Sequence, residues 1–341
     1  MPADSVLSLR TWILLVLALI IMCLPRFDKN TFLFPASPGD EVVYRNYVKY
    51  FRAEEVTGPL SSASTWRPLV PFLAAYVPFR PLTALNVVNM ASLFLALFFL
   101  AKILAFFALP RSYIVGGCGL FIFSFPVLYY GTIGYVDPML VGLVTLGVYL
   151  ILTRHRLAFT LLLVPGLLAK EGIIVLLLPA LYFLIVGGFQ RRYWIYPVLW
   201  VAIYVGLSVA VRRYAPGISY DSFWIPSVDK FLQNASRSRV WLSALLTFGP
   251  PGLIAFMMMA RSRCFSSPFR PRRVMLSLGF IAVICTWLFA LVTAYVDGRT
   301  LWIAYPFTIP LAMIWLYERK HGQRQSPASN PLPSSPDVAA D

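Results

Sequence analysis

The chain has 341 residues, 59% of them hydrophobic, and a mean hydropathy of +0.73. Soluble domains seldom exceed half apolar, so this composition excludes a water-soluble globular protein and points to an all-α polytopic membrane protein. The formal net charge of +15 comes from 29 Lys+Arg against 14 Asp+Glu; no basic run is interleaved with aromatics in a polar domain, which excludes nucleic acid as a partner and assigns the excess to loops beside membrane spans.

Residues 6–24 carry Arg10 and then an apolar run. The run has the size of a signal peptide's apolar region, but Leu24-Pro25-Arg26-Phe27 follows it instead of a small-x-small cleavage site. It reads as an uncleaved first span with its N-terminus inside. Residues 26–80 form a large first outer loop. Within it, 41–55 alternates apolar and basic residues with helical periodicity, the pattern of an amphipathic helix at the membrane surface, ended by Gly58-Pro59. The apolar piece from Trp66 to Phe79 is too short to span and reads as interfacial or re-entrant.

Further spans are expected near 83–102, 112–130, 135–153, 157–169, 172–188, 193–211, 240–260, 274–296 and 300–317, about ten with the first. Lys170-Glu171 divides what would otherwise be one long run, so two short helices meeting at a polar turn are expected there; one tilted helix is the alternative and would invert everything downstream. With ten spans, the inside segments hold 15 of the 29 basic residues and 4 of the 14 acids, with the densest basic loops inside. A second outer loop covers 212–239. The tail 318–341, rich in Pro, Ser and Ala, reads as a disordered cytoplasmic segment. The cysteines (Cys23, Cys118, Cys264 and Cys285) have neither zinc-site nor disulfide spacing, and His155 and His321 are too few for a histidine metal centre.

Isolated charges recur at span ends on the outer side of this scheme: Asp40-Glu41, Asp137, Lys170-Glu171 and Asp297-Gly298-Arg299. Ionisable groups at membrane depth are costly and often mark sites. Each also has a plainer reading. Asp40 and Glu41 could be loop acids that cap a helix, Asp137 a helix N-cap before Pro138, Lys170-Glu171 a solvated turn or local pair, and Asp297-Gly298-Arg299 a tight turn. For chemistry, Asp40 and Glu41 are the best carboxylates, as general base for an attacking hydroxyl. Lys170, Arg299, Arg67, Arg212 and Arg213 could bind phosphate, with Asp137, Glu171 and Asp297 supporting them. The sequon Asn234-Ala235-Ser236 falls on the outer side.

The arrangement resembles the GT-C superfamily of integral membrane glycosyltransferases, small bacterial members in particular. The resemblance covers about residues 1–317. It is carried by Gly39-Asp40-Glu41 after the first span, Arg67-Pro68-Leu69-Val70-Pro71, Tyr135-Val136-Asp137-Pro138 before a span, and Leu167-Leu168-Ala169-Lys170-Glu171-Gly172. Asp297-Gly298-Arg299, with Tyr305-Pro306-Phe307 and Pro310 downstream, completes it. The chain has Lys170 where Arg is commoner. The resemblance implies a polyprenyl-phosphate sugar donor, a lipid-linked or cell-envelope glycan acceptor, Asp40 as base, Glu41 assisting it or binding acceptor or metal, and Lys170 and Arg299 on the phosphate. A divalent ion (Mg or Mn) on Asp40 and Glu41 is compatible with it but not required. Membrane lipids are the remaining expected partner. The bacterial plasma membrane is the expected location and the endoplasmic reticulum the second. A transporter or flippase for lipid-linked glycans, or a non-catalytic assembly partner, are the rival readings.

Overall fold

The computed structural model describes residues 7–27, 39–56, 58, 60, 65–186, 191–216, 225–260, 270–294 and 296–321. Among them every regular element is helical. In chain order the α-helices are α1 (Leu9–Cys23), α2 (Gly39–Phe51), α3 (Leu69–Ala75), α4 (Pro81–Phe106), α5 (Arg111–Ile122), α6 (Phe125–Tyr130) and α7 (Asp137–Leu152). They continue with α8 (Arg156–Ala169), α9 (Leu177–Val186), α10 (Ile195–Tyr214), α11 (Val228–Ala235), α12 (Ser238–Ala260), α13 (Arg270–Thr293) and α14 (Tyr305–His321). Short 3-10 turns, Glu171–Leu176 and Gly298–Ala304, lead into α9 and α14. Cys264, 217–224 of the expected second outer loop and 322–341 of the expected tail lie outside the described residues.

Among the described residues, six helical segments are long and apolar enough to cross a membrane: Leu9–Arg26, Pro81–Phe106, Ile195–Tyr214, Ser238–Ala260, Pro271–Thr293 and Gly298–His321. The four other expected spans correspond to shorter apolar helices, Arg111–Ile122, Asp137–Leu152, Arg156–Ala169 and Glu171–Val186. A 16-residue helix such as α7 is only about 24 Å long against a hydrocarbon core of about 30 Å. Of these short helices α7 is buried along nearly its whole length, whereas α8 and α9 keep an exposed apolar face that includes Leu157, Leu161, Leu178 and Ile185. Broken backbone is tolerated at depth where protein surrounds it. The expected single span 112–130 is broken at Ser124, whose side chain accepts from Val127 N–H and starts α6. Lys170 adopts an extended conformation (φ −172°, ψ 141°), which ends α8 and makes two helices of the stretch that could have been one.

Helices α4 and α7 form the centre and run parallel. Asn89 Nδ2 donates to Tyr135 O, Ser92 lies against Met139, and Phe99 against Tyr149. The pair approaches closely because a side chain at Gly142 would collide with the backbone of Ser92. The buried helix α14 packs against α12, α13 and α5, with Phe307 seated over Gly279. In α12 the chain kinks at Gly249 (φ 51°) before Pro250-Pro251. Pro251 has no N–H for the carbonyl of Thr247, and the Tyr305 hydroxyl donates to that carbonyl instead at 2.9 Å.

The expected amphipathic helix in the first loop exists as α2, but it ends at Phe51, short of Gly58. Its apolar face, Tyr44, Tyr47 and Val48, is buried against protein. Arg52 follows it and donates to the carbonyls of Ala74, Ala75 and Val77, capping α3 where the helix dipole favours a cation. Phe72, Leu73, Tyr76 and Phe79 remain exposed on and after α3.

Candidate functional site

The starts of α2 and α7, the end of α8 and the turns at 170–171 and 297–299 meet at one end of the bundle. Asp40 lies in the first turn of α2, and its Oδ2 accepts from Arg299 Nη2 at 2.7 Å across 259 residues of sequence. Arg299 Nε lies 3.3 Å from Asp297 Oδ1, and Arg299 Nη1 lies 4.0 Å from Asp137 Oδ2. The second oxygen of Asp137 accepts from Lys170 Nζ at 2.6 Å. Arg67 holds Glu171 with two parallel bonds, Nε to Oε2 at 3.0 Å and Nη2 to Oε1 at 2.5 Å. Bidentate pairing of this kind fixes both partners in one plane.

Each expected residue has its own outcome. Asp137 is not an N-cap: it is the first helical residue, makes no capping bond, and is 3% exposed in its pair with Lys170. Lys170 and Glu171 form neither a solvated turn nor a local pair, since they bind Asp137 and Arg67 respectively. Asp297 does make the tight turn, accepting from Arg299 N–H at 3.0 Å, and also binds the guanidinium. Asp40 and Glu41 diverge, because successive helical residues point about 100° apart. Glu41 is buried and pairs with Arg45 one turn on, 3.2 Å away. Arg212 and Arg213 are exposed at the end of α10; Arg212 lies over the Trp66 ring, next to Arg67, and Arg213 over Tyr214.

Three side chains not anticipated from sequence complete the cluster. Tyr44 OH accepts from Arg67 Nη1 at 3.2 Å, and it lies one turn after Asp40 on the same face of α2. Burial pushes the Tyr44 phenol up to about 12, so it stays neutral. Tyr135 lies under Arg299, 4.5 Å from ring centre to guanidinium carbon. Arg26, expected in the outer loop, is buried: it donates to Tyr129 O at 2.6 Å and ties the end of α1 to the loop that leads to Asp137. The spacing Asp40…Tyr44 was the one available signal, and it required knowing that α2 is a helix in phase with both.

The turn at 297–299 is clamped from behind. Gly298 N–H donates to Ser243 Oγ at 2.8 Å, and no Cβ fits at Gly298 because the backbone of Ser243 is in the way. Asn234 donates to the carbonyls of Leu291 (2.8 Å) and Ala294 (2.7 Å) and accepts from Val296 N–H (3.3 Å). It is 0% exposed. The sequon is therefore not a glycosylation site, because both ends of the amide hold the backbone that presents Arg299.

Three cations (Arg67, Lys170 and Arg299) meet four carboxylates (Asp40, Asp137, Glu171 and Asp297), a balance of −1. Asp40 is the most accessible carboxylate of the four, its side chain 38% exposed. Burial raises its pKa, but the charges of Arg299, Arg67 and Lys170 outweigh this and hold it below the usual carboxylate value. Arg67 stays firmly charged: Glu171 and Tyr44 more than offset the effect of burial. Among the described residues no three of His, Cys, Asp and Glu converge as a cation cage, and Asp40 and Glu41 diverge to different arginines. This donor set does not fit a divalent ion. Each of the three cations is already matched by a carboxylate, so an anion bound here has to displace one, and the Asp40–Arg299 pair holds the most exposed of them. No protein-family model matches the chain, and no match appears among curated proteins or among solved structures.

Proposed function

We propose that the chain is a GT-C-type membrane glycosyltransferase of about ten spans in a bacterial plasma membrane, moving one sugar from a polyprenyl-phosphate donor to a lipid-linked or cell-envelope glycan acceptor. The observation that supports this reading is the Asp40–Arg299 pair inside a cluster that also gathers Arg67, Lys170, Asp137 and Glu171. In this reading Asp40 is the base, and Arg299, Lys170 and Arg67 are the cations that bind phosphate beside it.

In the resting arrangement Asp40 is tied to Arg299 and is a weak base. A donor phosphate competes for Arg299, since guanidinium binds phosphate and carboxylate with the same fork of donors. Asp40 is then released next to the bound donor and its basicity rises. It takes the proton of the acceptor hydroxyl while the acceptor oxygen bonds to the anomeric carbon. The bond from that carbon to the phosphate oxygen breaks, and its electron pair stays on the phosphate, whose added charge Arg299 and Lys170 stabilise. Direct displacement inverts the anomeric centre. Asp137 and Glu171 hold Lys170 and Arg67 in position, and Tyr135 keeps the Arg299 plane fixed.

The test is transfer from a panel of radiolabelled polyprenyl-phosphate sugars into lipid extract by purified wild-type and Asp40→Asn protein. Wild-type transfer reduced about 10²- to 10⁴-fold in the variant is the expected result. Equal transfer by both removes Asp40 from the chemistry, and binding of the donors without transfer turns the reading to a transporter.

A further inference from the structure

A second site lies at the opposite end of the same helices. Here α7 ends, α8 begins, α9 ends and α10 begins. Between them is an open pocket of about 350 Å³, its mouth included. The floor is apolar, built from Ile151, Phe159, Leu184 and Trp200, all buried. The one polar group of Trp200 is already used, its Nε1 donating to Thr160 Oγ1 at 2.8 Å. A polar ligand would gain nothing from this floor and would lose its water.

The rim has the opposite character. Arg154 and Arg156 both line the mouth. Arg154 lies over the Phe183 ring at 5.8 Å and Arg156 over the Tyr193 ring at 3.6 Å. A guanidinium stacked on a ring keeps its N–H edge for another acceptor. Among the described residues neither arginine has a carboxylate within 4.0 Å, unlike all three cations of the other cluster. The chain between 153 and 157 and between 187 and 193 holds four arginines and a histidine and no acid. Helix α8, at 14 residues, separates this mouth from Lys170 by roughly 20 Å.

We infer that this pocket binds an anionic phospholipid of the leaflet at the basic end of the bundle, its phosphate on Arg154 and Arg156 and a segment of one acyl chain on the Ile151–Trp200 floor. The apolar floor argues against a soluble anion, and two guanidiniums at one mouth with no carboxylate beside them among the described residues argue against a zwitterionic or neutral lipid. Basic pockets between membrane helices recognise lipid headgroups in this way. The backbone offers a clean variant. Arg154 ends α7 at φ 62°, with Arg154 N–H bonded to Ile151 O and His155 N–H to Leu150 O. That is the left-handed position where glycine is the ordinary residue, so Arg154→Gly removes the charge and relieves the backbone.

The experiment is native mass spectrometry of purified protein in a neutral detergent, titrated with phosphatidylglycerol, phosphatidylcholine or inorganic phosphate. Wild type is expected to bind its first phosphatidylglycerol in preference to phosphatidylcholine. That preference should fall about fivefold in Arg154→Gly and in Arg156→Gln and about 25-fold in the double variant, while Arg10→Gln leaves it unchanged. An unchanged preference in the double variant overturns the inference. So does inorganic phosphate that binds wild type, is lost from the double variant and displaces the lipid, since that describes a soluble-anion site. The readout is independent of sugar transfer, so this site and the catalytic reading stand or fall separately.

Discussion

The two ends of this helical bundle differ in how they match their cations. At one end Arg67, Lys170 and Arg299 are each matched by a carboxylate brought from a distant part of the chain. At the other, Arg154, Arg156, Arg272 and Arg319 lie on aromatic rings, of Phe183, Tyr193, Phe106 and Trp315. Among the described residues Arg273 is the exception there: it pairs with Glu318 and joins the start of α13 to the end of α14. Cations on rings suit a lipid surface and an orienting charge. Cations locked to carboxylates at membrane depth are expensive to assemble and weakly stabilising at best, and that cost is what supports reading this end as a site.

The largest expected effect comes from unbalancing the matched end. Asp137→Ala leaves Lys170 without its partner, and thermal or denaturant unfolding in detergent should show a loss of about 3–5 kcal/mol. Replacing both, Asp137→Leu with Lys170→Met, should restore much of it, because an apolar pair has no desolvation cost. If Asp137→Ala is as stable as wild type, the pair is not buried as described and the contrast between the ends fails. An intermediate effect is expected behind the site. Asn234→Leu strands two carbonyls and one N–H, costing about 2–3 kcal/mol. Glycan mapping of protein expressed in a glycosylating host should find Asn234 unmodified.

Much of the matched end was legible because lipid makes isolated charges conspicuous. Asp40, Asp137, Lys170, Glu171, Asp297, Arg299 and Arg67 all stand out beside apolar runs, and all seven meet. Their partners were not legible. No spacing announces a bond between Asp40 and Arg299, and Lys170 and Glu171 are neighbours in sequence that turn to different elements. The divergence of Glu41 from Asp40 follows only once α2 is a helix at that phase. Arg212 and Arg213 read as phosphate ligands by type, yet lie exposed over Trp66 and Tyr214. The helical class was set by composition. The breaks at Ser124, Lys170 and Gly249 were harder, because each depends on a neighbour that satisfies the freed backbone, as Tyr305 does for Thr247.

The smallest expected effect is a pH dependence. The folded state holds the Asp40 pKa below its ordinary value, so the pair with Arg299 contributes its stability fully above the unfolded value of about 3.9. That contribution is lost as the pH falls further, through the folded-state pKa. Unfolding temperatures measured from pH 5 to pH 3 should therefore converge for wild type and Asp40→Asn. The convergence will be modest, since Asp40 is partly exposed. A gap that widens in acid would contradict the sign of the shift.

In the proposed mechanism phosphate and Asp40 compete for Arg299, and equilibrium binding of a polyprenyl phosphate to wild type, Asp40→Asn and Arg299→Gln reads that competition. Removing the competing carboxylate should tighten binding roughly fivefold even though transfer is lost. Removing the guanidinium should weaken binding about ten- to hundredfold. Opposite signs for the two variants are the predicted result; an Asp40→Asn protein that binds no tighter than wild type, or an Arg299→Gln protein that binds as well, would contradict it.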